Sequence, residues 1–203
     1  CPRFGTFVTD VEAFDARVFG VTPTEAIWMA PEQRLLLEAA ACVLRDLDHP
    51  HQKEHVTTMG AWIGMGATDY ATLVTHASRA SPAAAAASPY AFTSFSTAVA
   101  AGRLGYVFRL TGPTIAVDTA CSASLVALSA AETFLRQYHD VVHARSPDPS
   151  TTTMTASSGP PFAPRLALVA GVMLNLVPES GAALNAAAGM LSSDGRSKSL
   201  DVA

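Results

Sequence analysis

Short apolar runs without polar–apolar alternation set the strongest limit on how this chain can fold. Residues 59–65 and 165–176 are each enriched in apolar side chains, and Thr114–Val117 forms a shorter run behind the turn pair Gly112-Pro113. Strands that are covered on both faces have this continuous apolar pattern. Because segments with helical spacing separate the runs, the sequence predicts an α/β layered domain with helices around a mixed or mostly parallel sheet.

The segments between the runs carry helix start signals. Thr22-Pro23-Thr24-Glu25 has the form of a capping box with proline at the first helical position, and Pro31 can begin a second helix in the same way. Residues 32–47 predict a helix in which Cys42 is buried. Its apolar residues are expected on one broad face that contains Leu35, Leu36, Ala39, Val43 and Leu47.

Composition and charge exclude several classes of partner. The 203 residues carry a net charge of −4, with 49% hydrophobic and 15% charged residues. A chain without a basic footprint is a poor partner for nucleic acid or for an anionic membrane surface. The longest apolar run, residues 166–174, is far shorter than the roughly 20 residues that span a bilayer, and the N-terminus lacks a signal-peptide pattern. We therefore expect a single soluble domain in the cytoplasm.

The cysteines and histidines give little support for a metal site. Cys1, Cys42 and Cys121 are odd in number and form no CxxC pair, which favours free thiols in a reducing compartment. The stretch His139-Asp140-Val141-Val142-His143 differs from the zincin motif only by aspartate in place of glutamate. Asp140 has a shorter reach and no third ligand is evident, so a metalloprotease is the weaker interpretation.

Cys121 is the strongest candidate for chemistry. It follows the predicted strand Thr114–Val117 and precedes residues 125–138, whose apolar side chains have helical spacing. Amides in the first turn of a helix lack internal partners, so a thiolate at this junction gains hydrogen bonds and the positive end of the helix dipole. The opposing interpretation is a buried cysteine that behaves as a small hydrophobe.

Four ordered stretches resemble the β-ketoacyl synthases of polyketide and fatty acid synthases. They cover nearly the whole chain in family order: Phe14 to Glu38 with its Pro31-Glu32-Gln33-Arg34 motif, Gly102 to Leu128 around Cys121, Leu168 to Val172, and Gly189 to Arg196. The chain is identified as part of a modular-type ketosynthase. We interpret residues 1–203 as a partial domain, truncated at both ends, with a disordered insertion at 144–164 that is rich in Pro, Ser and Thr.

The resemblance implies an activity and a mechanism. The fold would be the N-terminal half of a thiolase-like domain, and Cys121 would be the catalytic residue that accepts an acyl group. The domain itself would bind no cofactor and no metal, because acyl and malonyl-type thioesters arrive on the phosphopantetheine of an acyl carrier protein. A homodimer is also implied. Two histidines and a lysine of the family belong to its second half, so this chain alone is expected to be inactive.

Two other function classes stay open at the level of sequence. A non-catalytic ketosynthase-like partner would keep the fold, but such proteins typically lose the cysteine that is present here as Cys121. A cysteine hydrolase would also place its nucleophile between a strand and a helix. It would not require the flanking Gly102-Arg103 and Gly112-Pro113 blocks.

Overall fold

Helices alternate with short strands along the chain. A computed structural model describes residues 7–47, 56, 58–80, 88–144, 164–177 and 181–197. The elements are, in chain order, α1 (Pro23–Trp28), α2 (Pro31–Asp46), β1 (Gly60–Gly64), α3 (Tyr70–Ala80), α4 (Tyr90–Thr93), α5 (Thr97–Val107), β2 (Thr114–Val117), a 3₁₀ turn (Ala120–Ser122), α6 (Ala123–Ala144), β3 (Ala167–Gly171) and α7 (Gly181–Ala187).

The strands form one sheet with β1 in the centre. The strand order is β2-β1-β3, and both pairings are parallel, with Trp62 of β1 in register with Ile115 of β2 and Val169 of β3. The predicted α/β architecture is confirmed. Of the expected mixed or mostly parallel sheet, the described ranges contain parallel pairs, because helical connections return the chain to the same end of the sheet.

The two faces of β1 belong to two different apolar clusters. Ala61 and Ile63 pack with residues of α2 and α5, whereas Trp62 points to the opposite face and packs with Ala127 and Ala131 of α6. Every residue of β1 is buried. A strand covered on both faces is the arrangement that its continuous apolar run predicts.

The outer strands are less covered than the sequence suggests. Ile115 of β2 is 43% exposed, and Leu168 is the one residue of β3 that is buried. The apolar run at 165–176 also yields a strand of only five residues, Ala167–Gly171. Both strands pair on one edge only within the described part of the sheet, so their apolar side chains have fewer neighbours to pack against.

Helix α2 buries a face different from the predicted one. Its buried apolar residues include Leu36, Leu37 and Ala40, while Val43 is 52% exposed and Cys42 is exposed as well. The prediction that Cys42 is buried is therefore wrong. The physical reason is that the polar residues Glu32 and Gln33 occupy the first buried positions of the helix, so apolarity alone places the face one position too early in the sequence.

Some predictions fall on parts of the chain that the structure does not describe. Apart from its two end residues, the predicted insertion at 144–164 lies outside the described residues, as do Cys1 and the histidine-rich turn at 48–55. No helix within the described ranges is long and apolar enough to cross a membrane.

Candidate functional site

The chain turns sharply between β2 and α6, and Cys121 lies in this turn. Ala120 has a φ of 52°, in the left-handed region that residues with a side chain seldom adopt. The 3₁₀ turn Ala120–Ser122 then leads directly into α6, and Cys121 is exposed. The predicted junction between a strand and a helix is confirmed. The exposure argues against the interpretation of Cys121 as a buried small hydrophobe.

Short-range hydrogen bonds hold this turn. The Ala120 N–H donates to the Asp118 carboxylate at 3.1 Å, and the Ser122 hydroxyl donates to the Thr119 carbonyl oxygen at 2.8 Å. Both bonds join residues that lie two or three positions apart and are exposed to solvent. An aspartate that bonds its own backbone two residues on is a typical turn former, so the left-handed Ala120 is stabilised locally.

Two glycines let the start of α6 approach the sheet closely. A Cβ atom on Gly64, the last residue of β1, would lie 2.5 Å from the Ser124 backbone nitrogen and 2.6 Å from the Ala123 carbonyl carbon. A Cβ atom on Gly171, the last residue of β3, would overlap the Ser124 hydroxyl group. The helix start therefore lies over the ends of two strands because neither strand carries a side chain there.

The turn places the thiol at the carboxyl edge of a parallel sheet. Ligands in open α/β sheets bind at this edge, where the loops that follow the strands meet. Unpaired amides and the helix dipole concentrate positive potential at the start of α6, a helix of 22 residues. An exposed thiol at such a position can react with an electrophile from solvent without prior unfolding.

The histidine motif of α6 does not belong to this site. His139 lies 18 residues after Cys121, most of them within α6, which is about 27 Å at 1.5 Å per residue. The side chain of His143 lies outside the described residues. Within the residues that the structure describes, no group of three His, Cys, Asp or Glu side chains could hold a metal ion.

Two larger cavities lie away from the thiol. One of about 540 Å³ is bounded by α1, α4 and α5, and one of about 510 Å³ lies between β2 and α6. Cys121 lines neither of them. The chain segments at the ends of the three strands meet at the edge of the sheet where the thiol lies, since the Met65 N–H donates to the Val117 carbonyl oxygen and the Val172 N–H donates to the Gly64 carbonyl oxygen.

One of these segments contains a residue that the sequence analysis missed. Asp69, in the loop between β1 and α3, accepts hydrogen bonds from the backbone N–H groups of Leu176 and Val177, both at 2.9 Å. Its partners lie more than 100 residues away in the sequence, so no local pattern reveals the contact. Its position in the sequence could have marked Asp69 as a candidate, because a polar residue just after a buried parallel strand lies at the edge of the sheet where ligands bind.

Comparisons with known proteins relate this geometry to one family. A family model described as "Beta-ketoacyl synthase, N-terminal domain" matches residues 2–144. A spectinabilin polyketide synthase system protein from Streptomyces orinoci is 43% identical over 135 residues, which is 66% of this chain and 6% of that protein. A phenolphthiocerol/phthiocerol polyketide synthase polypeptide of Mycobacterium tuberculosis is 36% identical over 201 residues, which is 99% of this chain and 11% of that protein. The chain thus spans a small part of these relatives.

Solved structures agree with the family match. An oxazolomycin ketosynthase domain from Streptomyces albus superposes with a TM-score of 0.71 at 27% identity, over 96% of this chain and 29% of that chain. The ketosynthase from module 6 of the bacillaene synthase of Bacillus subtilis gives a TM-score of 0.66 at 28% identity, over 94% of this chain and 26% of that chain. The predicted thiolase-like architecture is confirmed by these neighbours.

Proposed function

The chain belongs to the β-ketoacyl synthase family, and on this premise we propose that it supplies the nucleophile of a condensing acyltransferase of polyketide or fatty acid biosynthesis. Cys121 is the catalytic residue. The observation that carries the proposal is the exposed thiol in a strained turn at the start of α6, at the carboxyl edge of the parallel sheet.

The first step is transfer of an acyl group to the thiol. The Cys121 thiolate attacks the carbonyl carbon of an acyl-phosphopantetheine thioester, so that a new C–S bond forms as the old one breaks. The displaced electron pair leaves on the pantetheine sulfur, which takes up a proton. The backbone N–H of Cys121 donates to the oxyanion of the tetrahedral intermediate, since amides at a helix start point outward.

The second step forms the carbon–carbon bond. A malonyl-type thioester loses CO₂, and the resulting enolate carbon attacks the acyl carbonyl, which expels the Cys121 thiolate. Division into two steps lowers the barrier of each. By resemblance, two histidines and a lysine from the second half of the family's domain stabilise the decarboxylation, so the proposed activity belongs to the complete domain.

The partners follow from the chemistry. An acyl carrier protein domain delivers both thioesters on its phosphopantetheine arm, and the domain itself binds no cofactor. Homodimerisation and a cytoplasmic location are part of the same proposal. Support for a further contact comes from α6, where Leu125 is 71% and Leu128 is 53% exposed a few residues after Cys121. Apolar surface of this extent next to a reactive turn is typical of a face that another surface covers.

The test is acylation of the full-length protein with an acyl thioester, followed by peptide mass mapping. We expect one acyl group on Cys121, and loss of labelling by several orders of magnitude in Cys121→Ala. Cys42→Ala is the matched control, because Cys42 is a second exposed thiol that lies in α2 and should not be acylated. Addition of malonyl carrier protein should then yield a ketone that is two carbons longer.

The products separate the proposal from its alternatives. Release of the free acid as the main product would indicate a cysteine hydrolase. An unmodified Cys121 at saturating thioester would indicate a non-catalytic partner. Either result contradicts the condensing activity.

A further inference from the structure

Three loops interlock at the edge of the sheet where Cys121 lies. The loop after β1 joins the loop after β2, since the Met65 N–H donates to the Val117 carbonyl oxygen at 3.0 Å. It also joins the segment after β3, since the Val172 N–H donates to the Gly64 carbonyl oxygen at 3.1 Å. The loop between β1 and α3 is therefore the central one.

Asp69 ties the central loop to the segment after β3. One oxygen of its carboxylate accepts from both the Leu176 and the Val177 backbone N–H groups at 2.9 Å. Hydrogen bonds to an ionised acceptor are about twice as strong as bonds between neutral groups. These two residues lie well beyond the end of β3, so the contact fixes a part of the segment that the sheet no longer holds.

The loop that carries Asp69 is itself fixed. The Thr68 hydroxyl donates to the buried carboxylate of Glu32 in α2 at 2.5 Å and accepts from the Tyr70 N–H at 3.1 Å. On its other side the loop adjoins the nucleophile turn, because a Cβ atom on Gly66 would lie 3.3 Å from the carboxylate of Asp118. That carboxylate accepts from the N–H of the residue just before the thiol. Asp69 thus holds a distant segment against a loop that is rigidly placed beside the nucleophile turn.

We infer that Asp69 is a positioning residue that holds residues 172–177 beside Cys121 and thereby shapes the space that the acyl group of the thioester enters. The inference rests on the proposed function and deepens it. Asp69 touches neither the thiol nor the reacting carbonyl in this role. Its loss leaves the nucleophile and its helix unchanged and loosens one wall of the acyl site.

The test uses single-turnover acylation of Cys121 in the full-length protein at a series of acyl-thioester concentrations. Asp69→Ala removes the acceptor, and Asp69→Asn keeps the shape but removes the charge. We expect the thioester concentration at half-saturation to rise about tenfold or more in Asp69→Ala and less in Asp69→Asn, since bonds to a charged acceptor are lost. The limiting rate should change less than about threefold, and the fraction of Cys121 that can be acylated should not change.

The matched control is Asp15→Ala. Asp15 lies in the segment before α1, and its carboxylate accepts one local, exposed backbone bond, from the Arg17 N–H at 3.2 Å. The substitution should leave all three quantities unchanged.

Two outcomes overturn the inference. One is half-saturation at the wild-type value in both Asp69 variants. The other is an acylated fraction that falls in proportion to the rate, which is the signature of partial unfolding. Failure of wild-type acylation would instead reject the proposed function, so the two failures are distinguishable.

Discussion

Two helix starts in this molecule use polar residues in opposite ways. At the start of α2, Glu32 and Gln33 are each 1% exposed and their side chains bond to segments far away in the sequence. At the start of α6, Cys121 and Ser122 are exposed and the polar bonds stay within three residues. Motif residues at the first start therefore hold the fold together, whereas those at the second leave a thiol open to reagents.

The two helix starts differ in how far apart in the sequence their hydrogen-bond partners lie. The Gln33 side chain donates to the carbonyl oxygens of Thr93 and Ser96 at 3.2 and 3.3 Å and accepts from Arg103 at 3.2 Å. Arg103 in turn forms an ion pair with Glu25 of α1. The hydrogen bonds described above for the start of α6 are local by comparison. Close backbone contact with the strand ends fixes that start instead.

The largest effect is expected where that backbone contact is blocked. In Gly64→Ala the new methyl group meets the Ala123 and Ser124 backbone at 2.5 to 2.7 Å, and backbone atoms cannot rotate away. We expect the free energy of unfolding of the full-length protein to fall by about 3 kcal/mol in denaturant titrations. Acylation of Cys121 should fall as well, because the start of α6 is displaced.

Gly102→Ala is the matched control for that substitution. No atom lies within 4 Å of a Cβ placed on Gly102, which is an exposed residue inside α5. Alanine there should raise the free energy of unfolding by about 0.5–1 kcal/mol, since glycine loses more backbone entropy in a helix. Equal effects of the two substitutions would show that the close approach of α6 to the sheet is not required.

The next effect concerns the start of α2. Arg34→Ala removes three hydrogen bonds from one guanidinium, to the carbonyl oxygens of Met29 at 3.0 Å, Ala26 at 2.9 Å and Glu12 at 3.0 Å. We expect a loss of about 2–3 kcal/mol in the free energy of unfolding. Lysine should restore little of it, because an ammonium group cannot reproduce the planar fork of donors.

Arg45→Ala at the other end of α2 is the control. The side chain is 78% exposed and its ion pair with Asp46 is long, at 3.9 Å. Its removal should change the free energy of unfolding by less than about 0.5 kcal/mol. If Arg34→Ala were equally mild, the start of α2 would not hold the fold in the way that its bonds suggest.

The sequence predicts well the features that depend on local chemistry. The Thr22 hydroxyl oxygen accepts from the Glu25 N–H at 3.2 Å, as the capping box predicts, and α2 begins at Pro31. The buried strand β1 and the junction at Cys121 are also confirmed. Each of these features has its cause within a few residues of the chain, so a local pattern can reveal it.

The features that the sequence predicts poorly have distant causes. The buried face of α2 includes Gln33, whose partners lie 60 or more residues away, so a search for apolar residues misplaces that face and wrongly buries Cys42. The role of Asp69 depends on amides more than 100 residues further on. Exposure of Ile115 depends on which strands lie beside β2.

A smaller effect is expected when serine is replaced by alanine at a buried and at an exposed position. Ser94 and Ser122 each donate a hydroxyl hydrogen bond to the carbonyl oxygen three residues earlier, at 2.6 and 2.8 Å, but Ser94 is 1% exposed and Ser122 is exposed. Ser94→Ala should lower the free energy of unfolding by about 1 kcal/mol, since a buried hydrogen bond is lost. Ser122→Ala should lower it by less than about 0.5 kcal/mol, since water replaces the bond. A reversed order in denaturant titrations would contradict the assignment of the two regions.

The smallest effect is a change in pH dependence at Glu32. Burial raises the pKa of its carboxyl above the ordinary value of 4.5, against the lowering influence of the Thr68 hydrogen bond, and the nearby Asp69 carboxylate raises it further. Between the ordinary and the raised pKa the folded protein binds more protons than the unfolded chain, so this group lowers stability as pH rises through that window.

Glu32→Gln removes the titration while it keeps the shape of the side chain. The stability of the variant relative to wild type should therefore increase from about pH 4 to about pH 7.5, and the increase should stop once the pH exceeds the raised pKa. Urea unfolding at both pH values measures the difference, with Glu132→Gln on the exposed side of α6 as the control. If the stability of wild type relative to Glu32→Gln instead increases as pH rises, the partners of Glu32 stabilise its ionised carboxylate. Glu32 would then hold the start of α2 as a charged group and not as a neutral buried one. Because Thr68 links Glu32 to the loop that carries Asp69, that result would also mean that the wall beside Cys121 is held by charge at both of its ends.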